Sequence, residues 1–154
     1  MKPVFVLWFF LPFSVLLLSG CLVSKTVYQK EPALVVSVVD GDTIKIDGGE
    51  SVRLIGINST ERGEECYAEA KEKLEGMVGG KIVFLEMDVE NRDKYKRLLR
   101  YVYLESGEFV NQKMVERGNA YAYEYPPSVR YAAQFSVAEG IAKFRQEGCL
   151  WQSS

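Results

Sequence analysis

Three oxygen-bearing side chains and two arginines stand at the ends of apolar runs in this 154-residue chain. Asp42, Asn58 and Glu61 offer oxygen without sulfur or imidazole, so a cation bound by them would be hard, calcium or magnesium. Arg53 and Arg97 carry the planar fork that can take a phosphate in two hydrogen bonds. A hard cation and two arginines beside a carboxylate suit phosphodiester cleavage. The positive groups stabilise charge gathering on the phosphate oxygens, and the carboxylate orients or deprotonates a water. Lys94 and Tyr95, close to Arg97, could hold a neighbouring phosphate or base. Tyr121, Tyr123, Tyr125 and Tyr131 could stack bases, and core packing with a Tyr-Pro turn accounts for them equally well. Taken singly, each group also has a plain reading. Asp42 would decorate an Asp-Gly turn, Arg53 would form a surface ion pair, Glu61 would be a charge near a helix start, and 93–97 would be a solvated loop. The chain contains no histidine, which removes histidine acid–base schemes, serine–histidine triads and most transition-metal sites.

The elements that must position these residues are legible from pattern. Residues 34–39 are rich in β-branched side chains, 43–46 alternate, and 51–57 are mostly apolar. Asp40-Gly41 and Asp47-Gly48-Gly49 are turn chemistry, so the three runs form a meander. Period-two parity puts Asp42 on the side of Ile44 and Ile46, where a carboxylate needs a positive partner. Helical spacing of Tyr67, Ala70, Leu74, Met77 and Val78 predicts a helix over 65–78, closed by Gly79-Gly80. Strands follow over 81–87 and 98–104, separated by a polar loop. A short helix covers 109–117, and 120–125 is extended up to Pro126-Pro127. A last helix marked by Tyr131, Phe135, Ala138, Ile141 and Ala142 stops near Gly148, and Trp151 is expected to pack back onto the body. Five strands with a helix between the third and fourth describe an α+β molecule: a five-stranded OB-fold barrel with three helices. The first three strands are joined by turns too short for crossover helices, which argues against a doubly wound α/β fold.

Residues 1–20 read as an export leader: Met1-Lys2, an uncharged apolar stretch over 3–18, then small residues. Leu18-Ser19-Gly20-Cys21 resembles a bacterial lipobox, in which cleavage precedes the cysteine and the cysteine carries lipid. The alternative is a plain transmembrane anchor, for which the apolar run is short. Residues 21–32 read as a tether and 33–151 as the folded domain. Removing 1–20 takes away one lysine and no acid, so the net charge moves from −2 to −3. Without a basic surface, binding of a polyanion must be local. With Cys21 lipidated, Cys66 and Cys149 remain as an even pair in an oxidising compartment, bridged or as two free thiols.

Asp40-Gly41-Asp42-Thr43, Arg53 to Glu61, Asp93-Lys94-Tyr95-Lys96-Arg97, Val110-Asn111 and Gly148-Cys149-Leu150-Trp151 together resemble the staphylococcal nuclease (thermonuclease) family over about residues 33–151. The resemblance implies an OB-fold, calcium-dependent nuclease that hydrolyses DNA and RNA to 3′-phosphate ends. Carried over by position, it makes Asp42 and Asn58 calcium ligands, with Ser59 a ligand through its backbone carbonyl. It makes Glu61 the residue acting on the attacking water, and Arg53 and Arg97 the groups gripping the phosphate. Lys94 and Tyr95 correspond to contacts with the nucleotide's other phosphate, and Tyr123 and Tyr125 to the tyrosines flanking the base. Three departures stand out: Asn58 where the family has Asp, Lys96 where glycine is common, and Thr60 where proline is frequent. A lipid-anchored, extracytoplasmic, monomeric nuclease is thus the expectation. A non-catalytic OB module binding nucleic acid or a cell-surface partner is the alternative.

Overall fold

The structure, a computed structural model, describes residues 29–152. The expected leader, Cys21 and the tether as far as residue 28 lie outside them. β1 (Lys30–Asp40), β2 (Thr43–Ile46) and β3 (Ser51–Leu54) form the expected antiparallel meander. β1 reaches back into the expected tether, since Lys30, Glu31 and Pro32 pair with Glu86, Leu85 and Phe84. That portion is solvent-facing, so no apolar alternation marked it as strand. Register shifts between Val35 and Ser37 and between Val38 and Asp40 are bulges. An extra residue re-aims the side chains beyond it, which is why the buried Val35 and Val38 stand three apart while Val36 and Val39 face outward.

β4 (Ile57–Asn58), α1 (Tyr67–Val78), β5 (Ile82–Glu86), β6 (Leu98–Leu104), α2 (Val110–Glu116), β7 (Tyr121–Ala122) and α3 (Ala132–Arg145) complete the described chain. The run expected to be one strand over 51–57 is therefore two. β3 stops at Leu54, Gly56 turns the chain at φ +80, and β4 pairs with β7 instead. A Cβ on Gly56 would collide with the Phe135 ring, so both conformation and packing require glycine there.

Strands β1, β2, β3, β6 and β5 close in that order into a barrel. β3 and β6 run parallel and the other neighbours antiparallel. With three helices this is the expected OB-type architecture. Ile44, Val52, Leu54, Val83 and Val102 are fully buried, and α1, packed on β1 and α2, adds Ala70, Leu74 and Val78 at helical spacing to the same core. α3 turns Phe135, Ala138 and Ala142 inward. Ile141, expected beside them, is 47 % exposed; one residue, about 100°, before Ala142, it falls on the flank of the helix. Tyr131 lies just ahead of α3 and meets Tyr101 and Phe109 edge-on, at centroid distances of 4.7 and 5.0 Å.

Two devices fix the barrel's surroundings. Buried Asn111 of α2 accepts the Val102 amide at 2.8 Å and donates to the Ile55 carbonyl at 2.8 Å, pinning the corner between β3 and β4. Cys66, ahead of α1, is bridged to Cys149, beyond α3, with Cα atoms 5.2 Å apart and a sequence separation of 83. Of the two states open to this pair in the sequence, the disulfide is the one adopted. Trp151 packs back as expected, edge-on to Tyr121 at 5.4 Å. Among the described residues no helix is long and apolar enough to cross a membrane.

Candidate active site

The site begins at the β1–β2 turn. Gly41 sits where a Cβ would come within 2.7 Å of the Ser59 Cβ and 2.8 Å of the Ala70 Cβ, so glycine lets the turn press against the chain leaving β4 and against α1. Asp42 follows and is 5 % exposed. An uncompensated carboxylate at that depth would be costly. Here it accepts hydrogen bonds from the Ser59 amide at 2.7 Å and the Thr43 hydroxyl at 3.0 Å, and it pairs with Arg53 Nε at 3.1 Å. The positive partner that the strand parity demanded is thus Arg53. Asp40 accepts the Asp42 amide at 3.1 Å. Burial first, and then repulsion from Asp42, push the Asp40 carboxyl above its usual value.

Arg53 reaches Asp42 because its residue pairs with Thr43 across β3 and β2. Its guanidinium also donates to the Leu54 carbonyl at 2.6 Å and to Asn58 Oδ1 at 2.9 Å. It is therefore an inward-facing group, not the surface ion pair that strand position alone would suggest. Burial lowers its pKa, against the pull of Asp42.

The second arm lies between β5 and β6. Asp93 Oδ1 accepts the amides of Tyr95 and Arg97 at 2.9 and 3.0 Å, and Oδ2 accepts Arg97 Nε at 2.7 Å. Lys96 occupies the left-handed region at φ +70, which explains why glycine suits this position. Arg97 Nη1 lies 3.5 Å from Thr43 Oγ1, the hydroxyl that donates to Asp42, so the two arms meet through Thr43. The exposed Tyr95 ring lies beneath Lys94 and Arg97, at 5.0 and 5.4 Å.

Asp42, Arg53, Asn58, Ser59, Glu61, Lys94, Tyr95, Arg97, Tyr123 and Tyr125 all line one cavity of about 320 Å³. Every residue that the family resemblance assigns to metal, phosphate or base is therefore brought to one place. Glu61 is exposed on the cavity lip, and its amide donates to Glu64 Oε2 at 2.8 Å, which closes the turn carrying it. Of the four tyrosines weighed as a stacking platform, Tyr123 and Tyr125 belong to the cavity, whereas Tyr121 packs on Trp151 and Tyr131 on the core aromatics. Two further acids line the same cavity, Asp40 and Asp93. Asp40 read as turn chemistry and Asp93 as loop. Both stand in motifs that carry the family resemblance, Asp40-Gly41-Asp42-Thr43 and Asp93 to Arg97, but neither is given a role of its own there.

Among the described residues no three His, Cys, Asp or Glu side chains gather as a metal cluster. The cavity still offers a hard-oxygen set that fits calcium: the Asp40 and Asp42 carboxylates, the Asn58 carboxamide and the Ser59 carbonyl. Two adjoining carboxylates, Asp42 buried and Asp40 half-buried, faced by one arginine leave negative charge for a cation to meet, and the raised Asp40 pKa expresses the same deficit. Asn58 Oδ1 would have to share or release the Arg53 N–H to join such a set.

A family model described as "Staphylococcal nuclease homologue" matches residues 51–153. A thermonuclease of Staphylococcus intermedius is 36% identical over 138 residues, covering 84% of this chain and 81% of that protein. Endonuclease YncB of Bacillus subtilis is 36% identical over 127 residues, covering 75% of this chain and 59% of that protein. An uncharacterized endonuclease of Escherichia coli is 38% identical over 93 residues, covering 58% of this chain and 60% of that protein. The chain thus spans most of the first relative's length and about three fifths of the other two.

Proposed function

The chain belongs to the staphylococcal nuclease homologues and is a nuclease of that family; from this premise we propose that it is an exported, calcium-dependent enzyme cleaving DNA and RNA to 3′-phosphate ends. The observation that carries the reading is the convergence of Glu61, Arg53 and Arg97 with the Asp42–Asn58 oxygens on one cavity.

In this reading a backbone phosphate enters between Arg53 and Arg97, whose remaining N–H groups take its non-bridging oxygens. Glu61, solvent-facing at the lip, orients a water for attack on phosphorus and receives its proton. As the water oxygen bonds to phosphorus the P–O5′ bond breaks, the departing 5′ oxygen takes a proton from solvent water, and the two guanidiniums hold the charge on the phosphate oxygens more tightly than in the ground state. Asp42 supports Arg53 throughout, because its carboxylate fixes the Nε edge; beyond the bonds to Leu54 and Asn58, each outer nitrogen keeps one further N–H for the substrate. Tyr123 and Tyr125 flank the base, and Lys94 and Tyr95 meet the second phosphate. Asp42, Asn58, Ser59 and Asp40 would hold calcium, which when bound supplies positive charge to the phosphate oxygens and to the water.

The deciding assay follows cleavage of single-stranded DNA and RNA by the purified protein with calcium and with chelator. Cleavage should require calcium and should collapse in Arg97→Ala. Activity indifferent to chelator would sink the mechanism. Export and lipidation at Cys21 are supported by the leader pattern and by the Cys66–Cys149 bridge, a bond favoured in oxidising compartments. Fatty-acid labelling that persists in Cys21→Ser would overturn the anchor.

The second reading, a non-catalytic OB module binding nucleic acid or a surface partner, draws on one observation: the Asn58 oxygen faces Arg53. It predicts nucleic-acid binding without cleavage under any calcium concentration.

A further inference from the structure

We propose that Asp93 is a positioning residue of this site, holding Arg97 in its cavity-facing pose while folding the loop that presents Lys94 and Tyr95. The inference rests on the nuclease reading for its catalytic consequence, but its geometry stands on its own.

Asp93 lies in a polar loop yet its side chain is only 4% exposed, and all three side-chain hydrogen bonds found among the described residues serve the residues just after it in the chain. The two oxygens divide the work. Oδ1 caps the amides of Tyr95 and Arg97 and shapes the turn, which the backbone closes through Asp93 N–H to the Arg97 carbonyl at 3.0 Å and Lys96 N–H to the Asp93 carbonyl at 3.0 Å. Oδ2 takes Arg97 Nε at 2.7 Å. That bond occupies the inner edge of the guanidinium. Among the described residues Nη1 meets Thr43 at 3.5 Å and no hydrogen bond engages Nη2, while Arg97 lines the cavity. The outer edge, the one that matches a phosphate, is therefore presented rather than consumed.

A long arginine side chain left to itself samples many rotamers, and fixing it beforehand removes that entropy from the step in which charge develops. Asp93 also makes a second cation tolerable in the cavity. The assignment separates Asp93 from a mere turn former, because a turn needs Oδ1 alone.

Asp93→Asn isolates the two tasks. The carboxamide keeps one oxygen for the two amides but turns an N–H donor toward Arg97 Nε, so the loop is retained and the arginine released. In the full chain, kcat on single-stranded DNA should fall by roughly 10²-fold with KM nearly unchanged. The double variant with Arg97→Ala should be no slower than Arg97→Ala alone. Loss factors that multiply in the double variant, or a native rate in Asp93→Asn, would overturn the proposal. A second readout needs neither catalysis nor a folded variant. In the unsubstituted chain the Arg97 Nε–H should exchange with solvent far more slowly, by NMR, than that of exposed Arg62. Equal exchange would overturn the positioning role even in an active enzyme. A slow Arg97 Nε–H in a chain that cleaves nothing would leave the positioning intact and refute the nuclease reading instead.

Discussion

Asp42, Arg53 and Asn58 form a chain of charge-assisted contacts in which no side-chain donor faces another donor. Their balance decides what substitutions do. Among the described residues Glu61 has no comparable anchor on the lip of the cavity, so Glu61→Ala should leave the melting temperature unchanged while lowering kcat by about 10²–10⁴-fold, the range of a general base. Asn58→Asp restores a carboxylate to the oxygen set. It should lower the calcium concentration for half-maximal cleavage by roughly tenfold, and isothermal titration with calcium alone checks the same point without substrate. Asp40 supplies a pH dependence. Its carboxyl titrates above the ordinary 3.8 because burial and Asp42 disfavour its charge. A raised folded-state pKa means stability that is present below the unfolded value and is lost as pH climbs through the folded one. In chelator, Asp40→Asn should therefore flatten the decline in melting temperature above pH 3.8. It should also reduce the stabilisation gained from calcium. An unaltered profile would mean that Asp40 carries no such penalty.

At the scale of elements, the site is made by interruptions of regular structure. β3 gives way to β4 at Gly56, and this corner lets Arg53 face Asn58 only five residues later. Asn111 of α2 holds the corner through Ile55, and Phe135 of α3 fills the space a side chain at 56 would need. Gly56→Ala violates both the positive φ and the packing. It should cost about 2–3 kcal/mol in urea denaturation, as overpacking combined with left-handed strain does, and it should lower activity through displacement of Asn58. The second arm shows the opposite compromise. Lys96 adopts a conformation that favours glycine and keeps the loop closed around Asp93. The strand and helix periods were readable because they reflect burial of one face. The break at Gly56 was not, since Ile55 and Ile57 continue the apolar run on both sides of it and period alone carries no mark of a change of partner.

For the whole molecule, the barrel brings two arms more than thirty residues apart in sequence against each other, Thr43 linking Asp42 to Arg97. The disulfide ties the start of α1, just after Glu61, to the chain end beyond α3. Closing so long a loop restricts the unfolded chain, so Cys66→Ser with Cys149→Ser should lose about 2–5 kcal/mol of unfolding free energy in denaturant titration. Reductant should then have no further effect. What the sequence by itself determined was the inventory: hard oxygens, two arginines, no histidine, five strand-like runs and three helical ones. Residue chemistry and periodicity are local properties, and they suffice for that. It also supplied the motifs whose order pointed to the family. Tertiary structure alone decided that Arg53 turns inward to Asp42 and Asn58, that Asp40 and Asp93 share the cavity, and that Tyr121 and Tyr131 do not. Those outcomes depend on which distant groups meet in a closed barrel. A buried charge takes whatever partner the packing places beside it, and no spacing along the chain records that choice.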